Sequence, residues 1–351
     1  MTTTETTRKL IKLTPLEPYF LGGERIFERE DKNKHYFIRS LDTPAQTGLF
    51  GVLRYLMLEN PGPKRAFAEQ RREHNSTKNA GSNNHDFRGY ALNKPGVNFN
   101  NIKKISPLYL TDADSVYYAP APFDHKNDKK EYTPFELDCC EVRTSGGMRR
   151  FPKEKDEKNE YDPKNGIADG WMNLCDKTIR SDLFTSVPQV GIDKYGNKQA
   201  FFKKEYKRLE EGFSFAFIAE VNSGCEIHER AVTMGQAKAP FKTEVFSEFA
   251  EPPRITDIIK KGTFYAQSDI YYPKDTASLY KLCDFVCTQT RTHRIFKDNY
   301  LDRADSEVTQ LLRAGSIFRP KSCSADEFKE EMKNCHARIA GFNKIIIGGK
   351  E

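Results

Sequence analysis

Hydrophobic residues occupy every second position of EGFSFAFIAEV (211–221): Phe213, Phe215, Phe217, Ala219 and Val221. A period of two puts all five on one face of a strand. The period changes in LDTPAQTGLFGVLRYLMLEN (41–60), where Leu49, Val52, Leu53, Leu56 and Met57 make one stripe of a helix. Thr43 suits its N-cap, Pro44 the first helical position and Gln46 the third, together a capping box. Shorter patterns predict strands within 8–20, 101–110, 115–122, 262–272 and 314–320. The chain closes on a β-branched strand between Gly341 and Gly348-Gly349. TASLYKLCDFV (276–286) opens with helical spacing, and Ser324 with Glu327 forms a second capping box ahead of Phe328 and Met332. The signal is weak across 171–200.

Two stretches, 59–101 and 123–170, are polar and show little periodicity. Inside a compact domain, stretches this long are functional or disordered. Within the second, RRFPKEKDEKNE (149–160) alternates its charges and reads as a solvated loop. The economical reading is an α+β chain of two units, 1–190 and 200–351, each carrying long polar insertions.

Composition fits that reading. A length of 351 residues suits two domains. Only 37% of residues are hydrophobic, but 12% are aromatic, so a folded core is diluted by polar insertions rather than absent. No apolar run has membrane length and the first residues lack a secretory pattern, so a soluble, cytoplasmic protein is expected. The eight cysteines contain no C-x-x-C and read as buried thiols. A zinc site would have to use Cys283 with Cys287, or Cys323, Cys335 and His336.

Enzyme signatures are missing: there is no phosphate-binding or dinucleotide glycine loop, no H-E-x-x-H and no G-x-S-x-G. The histidines, at 35, 74, 85, 125, 228, 293 and 336, are scattered. No catalytic residue, cofactor or metal is expected. The net charge of +6 is modest, so only local clustering could point to nucleic acid. Gly22-Gly23 and Gly48 permit close backbone approach. The amides at Thr43–Gln46 offer a phosphate the positive end of a helix. Arg54, about two turns along, either faces a ligand or covers apolar neighbours with its stem. FRGYALNKPGVNFNNIKK (87–104) interleaves aromatic and basic residues, including Arg88, Lys103 and Lys104. That mixture suits single-stranded nucleic acid, or a hairpin that docks on protein.

The order and spacing of several blocks resemble one CRISPR family. They are LTPLEPYFLGGERIF (13–27), YFIRS (36–40), TPAQTGLFGVLRYLML (43–58), residues 189–221, MGQAKAPF (234–241), YAQSDIYY (265–272), AGSIF (314–318) and GFNKIIIGGK (341–350). The family is the RAMP-superfamily subunit of the type III-B (Cmr) effector that caps the 5′ tag of the guide RNA. The resemblance implies two ferredoxin-like (RRM-like) RAMP domains and a non-catalytic role. It implies three partners: the crRNA 5′ tag, the large polymerase/cyclase subunit and a backbone RAMP subunit, with no membrane and no small-molecule substrate. RNA contacts are then expected from Gly22, Gly23, Gln46, Thr47, Gly48, Arg54, Arg88, Lys103, Lys104 and Gln236, with a thumb-like hairpin near 87–104. The terminal glycines depart from the usual RAMP pattern. Two alternatives stay open: a RAMP endoribonuclease using His35, His74 or His85, and a scaffold that binds only protein.

Overall fold

Ser214–Asn222 is apolar on both faces, which makes it the central strand of the chain. Its odd positions (Phe215, Phe217, Ala219, Val221) and two of its even ones (Ala216, Ile218) are all buried. A strand with one wet face alternates; a strand covered on both sides reads as a nearly continuous apolar run. A computed structural model describes residues 5–22, 25–27, 36–58, 101–126, 129–135, 137–145, 147–154, 170–193, 200–235, 238–296, 306–333 and 336–349.

Thr6–Pro15 runs antiparallel along one edge of the central strand, with Thr6 opposite Asn222 and Leu13 opposite Phe215. Ile102–Ile105 and Tyr109–Thr111 occupy its other edge. Ala239–Phe246 adds beyond Thr6–Pro15. The sheet extends past these strands to Ile179–Arg180 on one side and Val232–Met234 on the other. Helix α1 (Gln46–Leu56) lies across the odd face, burying Leu49, Leu53 and Leu56 against Phe215 and Phe217.

A second sheet has the order Cys283–Cys287, Ile317–Pro320, Phe264–Ala266, Ile345–Ile347, all antiparallel. Its connections carry α2 (Thr276–Lys281), capped by the Asp275 side chain, and α3 (Ala325–Lys333). Phe264, Phe318, Leu279, Phe328 and Met332 bury between this sheet and its helices. Tyr265, Cys287 and Ile317 point the other way, onto Leu10, Ala216 and Ile218 of the first sheet. The layers therefore run helix, sheet, sheet, helices. Two polar pins cross the seam: Tyr265 Oη donates to Pro120 O (2.6 Å), and Gln267 Nε2 donates to Tyr109 Oη (2.8 Å).

Several expectations are corrected here. The boundary near 190–200 does not separate the sheets, because Thr6–Pro15 is hydrogen-bonded to strands at 214–222 and 239–246. The capping box does not form: Ala45 is the N-cap of α1 and no side chain caps it. Gln46 turns inward, where Nε2 donates to Ser106 O (3.2 Å) and Gly341 O (3.0 Å). Fixed carbonyls from distant segments outcompete the local cap.

Part of the supposed solvated loop at 149–160 is strand, since Gly147–Glu154 pairs with Leu137–Thr144. The weak stretch 171–200 holds Trp171–Asn173 and all of Phe184–Asp193, which pairs antiparallel with Ala200–Leu209. Much of Phe184–Asp193 is exposed, Val190 at 67%, and without burial nothing enforces alternation. The strand expected over 262–272 is broken into Phe264–Ala266 and Ile270–Tyr271, with Gln267–Asp269 turning between them. Cys283 and Cys287 are buried as expected, whereas Cys175 and Cys323 are exposed. No described helix is long and apolar enough to cross a membrane.

Candidate nucleic-acid interface

Ile102–Ile105 has a burial pattern of in, out, out, in. Ile102 and Ile105 anchor it to the core, and Lys103 and Lys104 are left projecting into solvent. They border a groove of about 650 Å³ whose far wall is the 3-10 turn His336–Ala340 and the loop 341–344. Arg8, Lys103, Lys104, Lys333, Arg338 and Lys344 line it, against two carboxylates, Glu220 and Glu251. Four excess positive charges thus gather in one groove of a chain whose total is +6.

The pairing inside the groove is incomplete. Lys104 meets Glu220 at 3.0 Å, Arg8 meets Glu251 at 2.5 Å, and Lys333 is held by Glu330 at 2.7 Å. Lys103, Arg338 and Lys344 have no acidic partner within salt-bridge distance among the described residues. Lys344 has its ammonium pKa lowered, first by desolvation in the groove and then by repulsion from Arg338 and Lys104. Cations held close enough to repel one another form a site that an anion stabilises. Tyr109 lies beneath the groove, buried and packed edge-on against Tyr117.

The far wall is rigid. Gly341 sits at φ +85°, and a Cβ there would lie 2.3 Å from Gln46 Nε2 and 2.6 Å from Ser106 O. Only glycine fits that approach. Asn343 is buried; its Oδ1 accepts from Tyr271 N (2.7 Å) and its Nδ2 donates to Tyr271 O (2.9 Å). Lys344 N donates to Ser268 Oγ at 3.0 Å. The bend at 267–269 that breaks the predicted strand is therefore the clamp that holds this loop. Gly348 and Gly349 do different work: their amides bond Thr263 O and Thr256 O, and a Cβ on Gly348 would strike Lys260 O.

The expected RNA-contact residues scatter. Lys103 and Lys104 lie in the groove. Gln46 stands behind its floor, tied to two groove-lining residues, Ser106 and Gly341. Thr47 and Gly48 are in the first turn of α1, half-buried and exposed. Gly22 occupies a left-handed turn away from the groove, its carbonyl accepting from Leu41 N at 2.8 Å. Arg54 is only 7% exposed, so it does not stand on the surface as expected, although it lies off the apolar stripe of α1. Gly23, Arg88 and Gln236 lie outside the described residues, as do the thumb-like segment 87–100, His35, His74 and His85. Sequence reasoning missed Arg8, Lys333, Arg338 and Lys344, which come from three separate segments. The available signal was Lys344 within GFNKIIIGG, between glycines already noted for close approach.

Two of the described histidines are tied into the fold: His125 Nδ1 accepts from Thr133 N (3.1 Å), and burial lowers the His293 pKa. No group of three His, Cys, Asp or Glu side chains suited to a metal occurs among the described residues.

In sequence, residues 11–245 match the family described as CRISPR-associated protein (Cas_Cmr3). No curated protein matches the chain. A cryo-EM structure of the Type III-B Cmr-beta bound to cognate target RNA contains a chain 15% identical, with 93% of this chain and 90% of that chain covered, at TM-score 0.47. A crystal structure of the Csm3-Csm4 subcomplex in the type III-A CRISPR-Cas interference complex contains one 12% identical, with 89% and 92% covered, at TM-score 0.34. Neither superposition is close enough to transfer a residue.

Proposed function

The chain belongs to the CRISPR-associated Cas_Cmr3 family, and from that premise we propose that it is a non-catalytic RNA-binding subunit of a type III-B CRISPR effector. It grips the 5′ tag of the crRNA and docks the large polymerase/cyclase subunit onto the backbone RAMP subunit, in the cytoplasm. The observation that carries this reading is the groove, with four excess positive charges and three cations lacking an acidic partner among the described residues. Phosphates would neutralise them.

The reading includes two ferredoxin-like (RRM-like) domains. What supports it is strand order: numbering the four strands of the second sheet along the chain gives 2-3-1-4 across it, with α2 and α3 as crossovers. The first sheet repeats the pattern with Tyr109–Thr111, Ser214–Asn222, Thr6–Pro15 and Ala239–Phe246, and with α1 as its only helix among the described residues. The domains then divide within 247–263 rather than near 190–200. The RNA groove lies where they meet.

The test is reconstitution of the effector with and without this chain. Omission is expected to leave the backbone assembled on guide RNA, release the large subunit and expose the tag to nuclease. A stoichiometric large subunit in its absence refutes the docking role. Cleavage of repeat RNA by the purified chain refutes the non-catalytic one.

A further inference from the structure

A smaller cavity of about 250 Å³ has Gln46, the residue tied to the groove carbonyls, in its wall. Its walls come from both units: Gln46, Trp171 and Lys207 from the first, Arg291 and Arg313 from the second. Its volume is just below the range of drug-sized sites, room for one base with its sugar. Gln46 is 4% exposed. Its amide cannot be turned over, because Nε2 already donates to two carbonyls and an oxygen in that place would face two acceptors. Oε1 is therefore a fixed acceptor, and it is buried with no hydrogen-bond partner among the described residues. Buried polar atoms in native proteins are nearly always paired, so an orphan on a cavity-lining residue points to a missing donor.

Independent features describe what brings the donor. Pro44 and Gln46 put the start of α1 on the same wall, with no side-chain cap and no acidic residue in its first turn. That end attracts an anion. The cations are mostly balanced: Lys207 meets Asp42 at 3.1 Å, and Arg291 pairs with buried Asp269. One phosphate fits this charge better than a run of them. Trp171 stands 6.3 Å from Phe184, ring centre to ring centre, and offers its indole to a stacking base.

We propose that the seam cavity takes a single unstacked nucleotide whose base donates an N–H to Gln46 Oε1, with its phosphate at the start of α1. This rests on the RNA-binding reading for the source of the nucleotide. A nucleoside monophosphate and one residue of an RNA strand share the chemistry, and the experiment separates them.

Trp171 is the only tryptophan in the chain, so intrinsic fluorescence reports this cavity directly. The full chain is titrated with AMP and with N6,N6-dimethyl-AMP, which has lost the donor N–H. Parallel titrations use a tag-sequence RNA, with filter retention measured on the same samples. AMP is expected to quench Trp171 saturably, and the dimethyl compound to bind about tenfold more weakly, as when a buried acceptor is denied its donor. Changing the ligand leaves the fold untouched, so misfolding cannot mimic the result. RNA should quench Trp171 over the same concentrations at which it is retained, and AMP should reverse that quenching. Equal affinity for the two nucleotides overturns the role of Gln46. RNA retained on the filter with Trp171 silent to both RNA and AMP overturns the cavity and leaves the groove reading standing. Quenching by AMP in a chain that retains no RNA supports the cavity and overturns the RNA reading.

Discussion

Replacing Lys103, Arg338 and Lys344 together by alanine removes the three groove cations that lack acidic partners among the described residues. All three are exposed, so the variant should fold like the parent chain. For single-stranded nucleic acid, each phosphate neutralised contributes about −0.7 to the slope of log K against log salt. Losing three contacts should flatten that slope by about 2 and, at about 0.1 M salt, weaken binding roughly 100-fold. The assay is fluorescence anisotropy of a labelled tag RNA across a salt series. Its control is a second triple variant, Lys242, Lys274 and Lys281 to alanine, which lowers the net charge equally at positions outside the groove. A control slope within experimental error of the parent is expected. If both triples flatten the slope by the same amount, the chain holds RNA through net charge alone, and the groove has no special part.

Gly341→Ala should cost about 1–3 kcal/mol in urea unfolding, since a left-handed alanine is strained and its Cβ meets Ser106 O at 2.6 Å; an unchanged midpoint would mean the loop is not fixed there. Asp124 is buried and its pKa is pushed up to about 6 by desolvation, although it accepts a hydrogen bond from Tyr132 Oη. A raised acid holds its proton more tightly when folded, so stability is lost as pH rises from the unfolded value of 3.8 through about 6. The loss approaches about 3 kcal/mol. Asp124→Asn should abolish that part of the pH dependence between pH about 4 and 7, read by denaturant melts; parallel curves for the two proteins refute it. RNA affinity should fall on the alkaline side as Lys344, with its pKa lowered, deprotonates ahead of ordinary lysines, and Lys344→Arg should remove that early decline.

Legibility followed burial. The stripe of α1, the alternation of the central strand and the Phe328–Met332 face of α3 were all readable, because each is imposed by an apolar core within a few residues of sequence. The pair Phe184–Asp193 and Ala200–Leu209 was not, since its ladder is closed by backbone hydrogen bonds that any side chain permits. Helix α1 shows the limit at single residues: its stripe was correct, but Gln46 and Arg54 were read as surface groups and are both buried. A helical wheel shows that a face is apolar and does not show what approaches the opposite side.

By itself the sequence determined that this is an α+β chain with a core rich in phenylalanine, polar insertions and no familiar catalytic motif, and its ordered blocks pointed to a CRISPR family. Only the tertiary structure decided where the charge lies. Arg8, Lys103, Lys333, Arg338 and Lys344 come from four separate segments of a chain with a bland total of +6. They become one groove because Thr6–Pro15 and Ile102–Ile105 pair with the same strand, while Asn343 and Ser268 clamp the 341–344 loop beside them. Coulomb interactions depend on distance through space, and a sequence records only distance along the chain.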